Sequence, residues 1–430
     1  MKKIYFLSLF MFMLSMKLSA QVTTVREQAS IVNELLADRI NHLLPQLMQR
    51  HQMDCWVMIT REYNEDPIVK TFLPAEWLSA RRTTMLVFYN NPSSGKLEKY
   101  AVARYPVGKE IRAAWDVAKT PDQWEALQTL LLQLNPNKIA INVSKDFGHA
   151  DGLDHTGYEE LMAHLPKTMQ AKLVSSEPLA VAWLETRTAK EMAYYPTLLK
   201  ITHDIIKEGF SNKVIKVNQT TSTDLEWWFR QKLADLGLIT WFHPSVEIQR
   251  RDTNNKGEVV QRGDLLHVDF GITYWRLNSD VQEHAYILLP DETKIPDNLS
   301  NAFSKTNQLQ DILTSSFGKN KTGNEILLNA LKEAKSQGIQ ASIYTHPIGF
   351  HGHAAGPTIG MWDMQNGVPG SGDYKMNENT CYSIELNAVH SLAGWKAPVR
   401  IALEQNGFFN GEKFEYLDGR QLTIHTIRFP

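Results

Sequence analysis

Apolar residues recur at three- and four-residue steps through VREQASIVNELLADRINHLLPQLMQRHQ, so residues 21 to about 50 read as helix. The period then changes. CWVMIT is a continuous apolar run that predicts a buried strand, as do TTMLVFYN and KYAVARY, the last two separated by a turn at Asn90, Asn91, Pro92 and Gly95. Residues 121–134 and 157–164 predict helices, with KIAINV as a strand between them. Together these make an α/β alternation. A second unit opens near Arg187 with the long helical stretch RTAKEMAYYPTLLKITHDIIKEGF, where Pro196 is the expected kink. Thr223-Asp224-Leu225-Glu226 supplies capping residues for another helix, which stops at Gly237. Strands dominate from 246 to 290, helices from 299 to 337, and strands and loops from 341 to 427.

Composition adds little beyond a class. The 430 residues are 43% hydrophobic and 21% charged, with a net charge of -2. That is ordinary globular composition for two or three domains, and the near-balanced charge gives no support to nucleic-acid binding. The amino terminus is distinctive. Lys2 and Lys3 precede the apolar run 4–16, and Leu18-Ser19-Ala20 offers a small-residue cleavage site before Gln21. The run is too short to span a bilayer comfortably. Residues 1–20 therefore read as a signal peptide, and the mature chain is expected to be exported, periplasmic or secreted, without a membrane span. Cys55 and Cys381 lie far apart and are expected to be buried free thiols rather than a bridge.

The chemistry concentrates in the second unit. In GDLLHVDFGITYWRLNSDVQ, a strand ending at Asp269, a turn around Gly271 and a return strand ending at Asp280 would bring two carboxylates to one point. Converging carboxylates repel and are costly to bury, and a cation removes both problems. Downstream, THPIGFHGHAAGPTIG carries His346, His351 and His353, while Glu385 and Glu404 sit in apolar, strand-like runs. Two Asp, one His and two Glu suit Mn²⁺, or Zn²⁺, Co²⁺ or Fe²⁺, in a two-metal site better than a thiolate zinc site.

This pattern resembles the pita-bread metallopeptidases: prolidase, Xaa-Pro aminopeptidase, methionine aminopeptidase and the metal-free creatinase. Asp269-x-Gly271 with Asp280 eleven positions on, the turn Gly352-His353-Ala354-Ala355-Gly356, the pair Ile384-Glu385 and the pair Arg400-Ile401 before Glu404 carry the resemblance. It implies an α+β fold, with a pita-bread catalytic domain (187–430) preceded by an α/β creatinase-type amino-terminal domain (21–186). It also implies two divalent ions held by Asp269, Asp280, His353, Glu385 and Glu404, with Glu385 as general base. The implied substrate is a short peptide with proline after the cleaved bond, and a homodimer partner could help exclude longer chains. The alternatives on the same fold are a metal-free creatinase-like hydrolase and a catalytically impaired peptide-binding member.

The chain departs from the family pattern at three points. The second Glu falls four positions after Arg400 instead of two, though alternate strand positions share a face. Peptidase members carry a histidine shortly before the first Asp, where this chain has IQRRD over 248–252. They carry another seven positions after the ligand histidine; counted from His353, that position is Gly360. His346, His351 and His243 are the candidates to replace these histidines. Arg250, with its bidentate fork, and Arg400 are candidates to hold a substrate carboxylate.

Overall fold

The computed structural model describes residues 22–252 and 258–429, so the expected signal peptide lies outside the described residues. The first sheet has six strands: β1 (Cys55–Arg61), β2 (Thr83–Asn91), β3 (Lys96–Val102), β4 (Arg112–Ala113), β5 (Ile139–Ile141) and β6 (Leu173–Ser175). Their spatial order is β4-β3-β2-β1-β5-β6. β1 is antiparallel to β2 and parallel to β5. Its odd-numbered residues Cys55, Val57 and Ile59 pack with Leu127, Leu131 and Leu161 of the helices Gln123–Leu134 and His155–His164. Its even-numbered residues Trp56 and Met58 pack on the opposite side with Leu44, Leu47 and Trp183. Burial on both faces is why this strand reads as an unbroken apolar run. The amino-terminal helical run serves both halves of the chain: Val32 joins the core of the second sheet and Leu36 the core of the first.

The second sheet has nine strands. They are β7 (Ser245–Gln249), β8 (Leu265–Phe270), β11 (Val281–Ile287), β12 (Ala341–Ile343), β13 (His346–Pro347), β14 (Thr380–His390), β15 (Val399–Phe409), β16 (Phe414–Tyr416) and β17 (His425–Ile427). The main path is β12-β14-β15-β11-β8-β7, with β13 on β14, β16 on β15 and β17 on β11. The helices Ala189–Gly209 and Ser222–Asp235 pack over one half of the apolar outer face. Asp297–Ser316 and Gly323–Ser336 pack over the other half. The long helix continues through Pro196, and the helix after it is capped by Thr221, two residues before the expected Thr223. Among the described residues, no helix is long and apolar enough to cross a membrane. Cys55 and Cys381 are free and buried, in different cores.

The segment between the two aspartates differs from the simple hairpin expected. After β8 the chain forms its own small hairpin, β9 (Thr273–Tyr274) with β10 (Leu277–Asn278), and only then returns as β11. The turn is at Trp275-Arg276, not Gly271, and both residues adopt positive φ. Such a two-residue turn matches strand twist but strains a side chain in the left-handed region. Stacking of Trp275 on Tyr274, with centroids 3.7 Å apart, and donation by Arg276 to the Leu73 and Pro74 carbonyls hold it in place. Gly271 has a different role. A Cβ there would lie 2.3 Å from the Ser279 carbonyl oxygen and 2.8 Å from the Trp241 ring nitrogen.

Candidate metal centre

The inner face of the second sheet is polar because strand register aligns polar residues across it. Ser245 pairs with Asp269, Asp269 with Gln282, Gln282 with Glu404, and Glu404 with Glu385. Paired residues on neighbouring strands share a face and sit about 5 Å apart. One row thus carries three carboxylates and an amide. Asp280 lies two residues before Gln282, and Ser383 and Asn406 lie two positions from Glu385 and Glu404, so all three face the same side. β13 places His346 opposite Ser383, at the end of this row.

Three overlapping groups of ligand-type side chains result: Asp280, His346 and His353; His346, Glu385 and Glu404; Asp269, Asp280 and Glu404. His346 Nε2 lies 3.5 Å from both Asp280 Oδ2 and Glu404 Oε1 and 4.0 Å from Glu385 Oε2. Its Nδ1 is 2.9 Å from the Pro347 carbonyl oxygen, which can only accept. Nδ1 therefore carries a proton, and Nε2 faces the carboxylates. Asn406 and Ser383 support the cluster from behind. Asn406 Oδ1 accepts from the Asp280 amide, its Nδ2 donates to Ser383 Oγ, and Ser383 donates to Glu404 Oε1 at 2.6 Å.

The electrostatics are those of an uncompensated anionic cluster. Burial, then the Glu404 charge, pushes Asp269, Asp280 and Glu385 well above the usual carboxylate range. Burial works to lower His346, but the nearby Glu404 carboxylate, the Glu385 charge and the Pro347 carbonyl raise it overall. Asp269 Oδ1, Asp280 Oδ1 and His346 Nε2 are buried without a hydrogen-bond partner. Native proteins rarely leave such atoms unmatched. Hard oxygen donors, one imidazole and orphaned lone pairs aimed at one another fit divalent cations.

The three histidines take different places. His346, expected to replace a missing family histidine, is the one among the glutamates. His353 is exposed and stands one ring further out, perpendicular to His346 at 4.7 Å and against Trp241 at 5.0 Å. His351 turns away from the cluster to His149 and Phe350, with centroids 4.6 and 5.1 Å away. Burial, and then the His149 charge, drops its pKa to about 3. The glycine-rich context favoured His353, which the structure groups with Asp280 and His346, and the pairing of β13 with β14 brings His346 in beside the glutamates as well. Counting from His346 also changes the family comparison, because the histidine seven positions on is then His353. Gly360 could not host a side chain there: a Cβ would lie 2.2 Å from the Ile343 carbonyl oxygen, and φ is +75°.

The substrate-binding candidates separate as well. Arg250 is not available: its fork is spent on buried Asp264, at 2.7 and 2.8 Å. Acidic Asp264, the residue just before β8, is the competing partner the sequence concealed. His243 packs on Trp227 at the surface, 5.2 Å between rings, beside Arg230 and Glu226. Arg400 stays on the site face, bonded to Tyr344 Oη at 2.9 Å and 3.7 Å from Glu247. Sequence reading missed Gln282, Tyr344, Trp241 and His149. The last comes from the first half of the chain, and only the fold could bring it here.

A curved sheet with helices outside and a carboxylate-imidazole cleft inside defines the pita-bread class. Residues 197–405 match the model of metallopeptidase family M24. Among solved structures, the X-Pro aminopeptidase from Thermotoga maritima is similar at TM-score 0.63 and 14% identity, covering 89% of this chain and 99% of that one. The Xaa-Pro dipeptidase from Bacillus anthracis gives TM-score 0.57 at 12% identity, covering 94% and 100%. The N-terminal domain of the FACT complex subunit SPT16 from Cicer arietinum also gives 0.57 at 12%, covering 93% and 97%. No curated protein matches the chain. Residues 197–405 thus match family M24, and the chain as a whole, with an amino-terminal domain ahead of that region, shares the pita-bread fold of the similar structures.

Proposed function

We propose that this is an exported, divalent-metal-dependent peptidase that cleaves short peptides with proline after the scissile bond. The observation that carries the reading is the set of buried, partnerless atoms Asp269 Oδ1, Asp280 Oδ1 and His346 Nε2 within one carboxylate cluster. Asp269, Asp280, His346, Glu385 and Glu404 would hold two ions, with Mn²⁺ the first choice and Zn²⁺, Co²⁺ or Fe²⁺ the others. Bound ions would lower the pKa of water and polarise the scissile carbonyl. The protein's own groups do the rest. Glu385, whose carboxyl is raised by burial and by the Glu404 charge, would accept the proton from water. His353, exposed beside His346, would hold substrate and pass a proton on. Arg400, bonded to Tyr344, would take a peptide carboxylate. The proline preference takes support from the names of the similar structures, and export from Lys2, Lys3, the apolar run and Ala20.

The test is hydrolysis of Xaa-Pro dipeptides and tripeptides by Mn²⁺-loaded protein. Glu385→Gln should lower kcat at least about a thousandfold, roughly 4 kcal/mol in the barrier, with KM changed far less. Absence of cleavage across a broad peptide panel by metal-replete protein would overturn the peptidase reading. Amino-terminal sequencing of the mature protein should begin at Gln21.

A further inference from the structure

Gln282 occupies the one uncharged position in the row Asp269, Gln282, Glu404, Glu385. Its Nε2 donates to Glu385 Oε1 at 2.7 Å and to Glu404 Oε2 at 2.8 Å. Both amide hydrogens are thus used, one on each glutamate. Its Oε1 lies 2.9 Å from His267 Nε2. Because the amide oxygen can only accept, His267 Nε2 carries the hydrogen. A flipped amide would turn its oxygen on two carboxylates, so the two glutamates fix its orientation. The remaining oxygens, Glu385 Oε2 and Glu404 Oε1, are the ones turned to His346 Nε2.

We propose that Gln282 is a positioning residue that presets the ion site bounded by His346, Glu385 and Glu404, and that His267 anchors its amide. This rests on the metal-dependent reading above. Without the two donors, repulsion between neighbouring glutamates would rotate their free oxygens off the shared point. The ion would then bear the cost of gathering them. Groups that orient ligands in this way typically contribute ten- to a hundredfold in metal affinity.

The experiment is calorimetric titration of metal-free protein with Mn²⁺, needing no turnover. Gln282→Leu, close in shape but without donors, should weaken the tightest Mn²⁺ binding about ten- to a hundredfold. Gln282→Met serves as the second variant should the first fail to fold. His267→Phe should weaken binding in the same direction, and His267→Gln, which keeps a donor for the amide, should restore it to within a few-fold of wild type. Folded Gln282 variants that bind Mn²⁺ within twofold of wild type would overturn the proposal and leave the metal reading standing. A wild-type protein that binds no Mn²⁺, Zn²⁺ or Co²⁺ would overturn both.

Discussion

At the scale of single residues, the site shows how backbone pairing adds ligand candidates that local context does not mark. His353 has the glycine neighbours of a ligand histidine, yet His346 lies among the glutamates because β13 pairs with β14 at Ser383. His351 has another consequence. Its pKa falls to about 3 through burial and the His149 charge, against about 6.5 in an unfolded chain. A depressed histidine contributes stability above its unfolded pKa, and that stability is lost as pH falls from about 6.5 toward 3. Acid unfolding followed by circular dichroism should therefore show His351→Phe losing less stability than wild type between pH 6.5 and 4, by on the order of a few kcal/mol. Gly271 gives the opposite case, where the motif is right for a steric reason. Its missing side chain lets the Ser279 carbonyl approach. Gly271→Ala should cost about 1–3 kcal/mol in urea denaturation, because neither neighbour is a free side-chain tip that can swing aside.

At the scale of elements, the sequence was informative wherever burial wrote a period. The strands CWVMIT, TTMLVFYN and KYAVARY, the helices near 123–134 and 155–164, and the long helix after Arg187 all follow from apolar spacing. It was less informative between Asp269 and Asp280. There the extra β9-β10 hairpin turns on Trp275 and Arg276, two residues with no turn preference, so no Asn-Gly signal marked it. The candidate carboxylates were legible from their joint spacing. Gln282, Tyr344 and His149 were not, because an uncharged amide, a phenol and a distant histidine carry no motif until strands and domains are paired. The turn itself is testable. Arg276→Ala removes two donations to backbone carbonyls of the first half of the chain, and should destabilise by about 1–3 kcal/mol while speeding hydrogen exchange at Tyr274 and Leu277.

At the scale of the whole molecule, four carboxylates and a histidine are gathered by strands from well-separated parts of the second unit. Holding them ionised without a counter-charge is unfavourable, so the fold should respond to cations more than an ordinary globular protein does. An ion that binds only the folded state adds about 2.7 kcal/mol at one hundred times its Kd. Thermal unfolding should accordingly shift upward with Mn²⁺ and downward after chelation, and Asp280→Asn should abolish most of that difference. An unchanged Tm in the wild type on adding Mn²⁺, Zn²⁺ or Co²⁺ would count against any cation in the cleft.

The alignment of Asp269, Gln282, Glu404 and Glu385 across β8, β11, β15 and β14 also sets a timetable. Asp269 and Asp280 sit on strands close together in sequence, whereas Glu385 and Glu404 lie on strands beyond the helices Asp297–Ser316 and Gly323–Ser336. A folding intermediate with only the β8-β11 pair formed would bring Asp269 and Asp280 together without His346, Glu385 or Glu404. Docking of β13, β14 and β15 therefore completes the centre, and a fully held ion reports that those strands have docked.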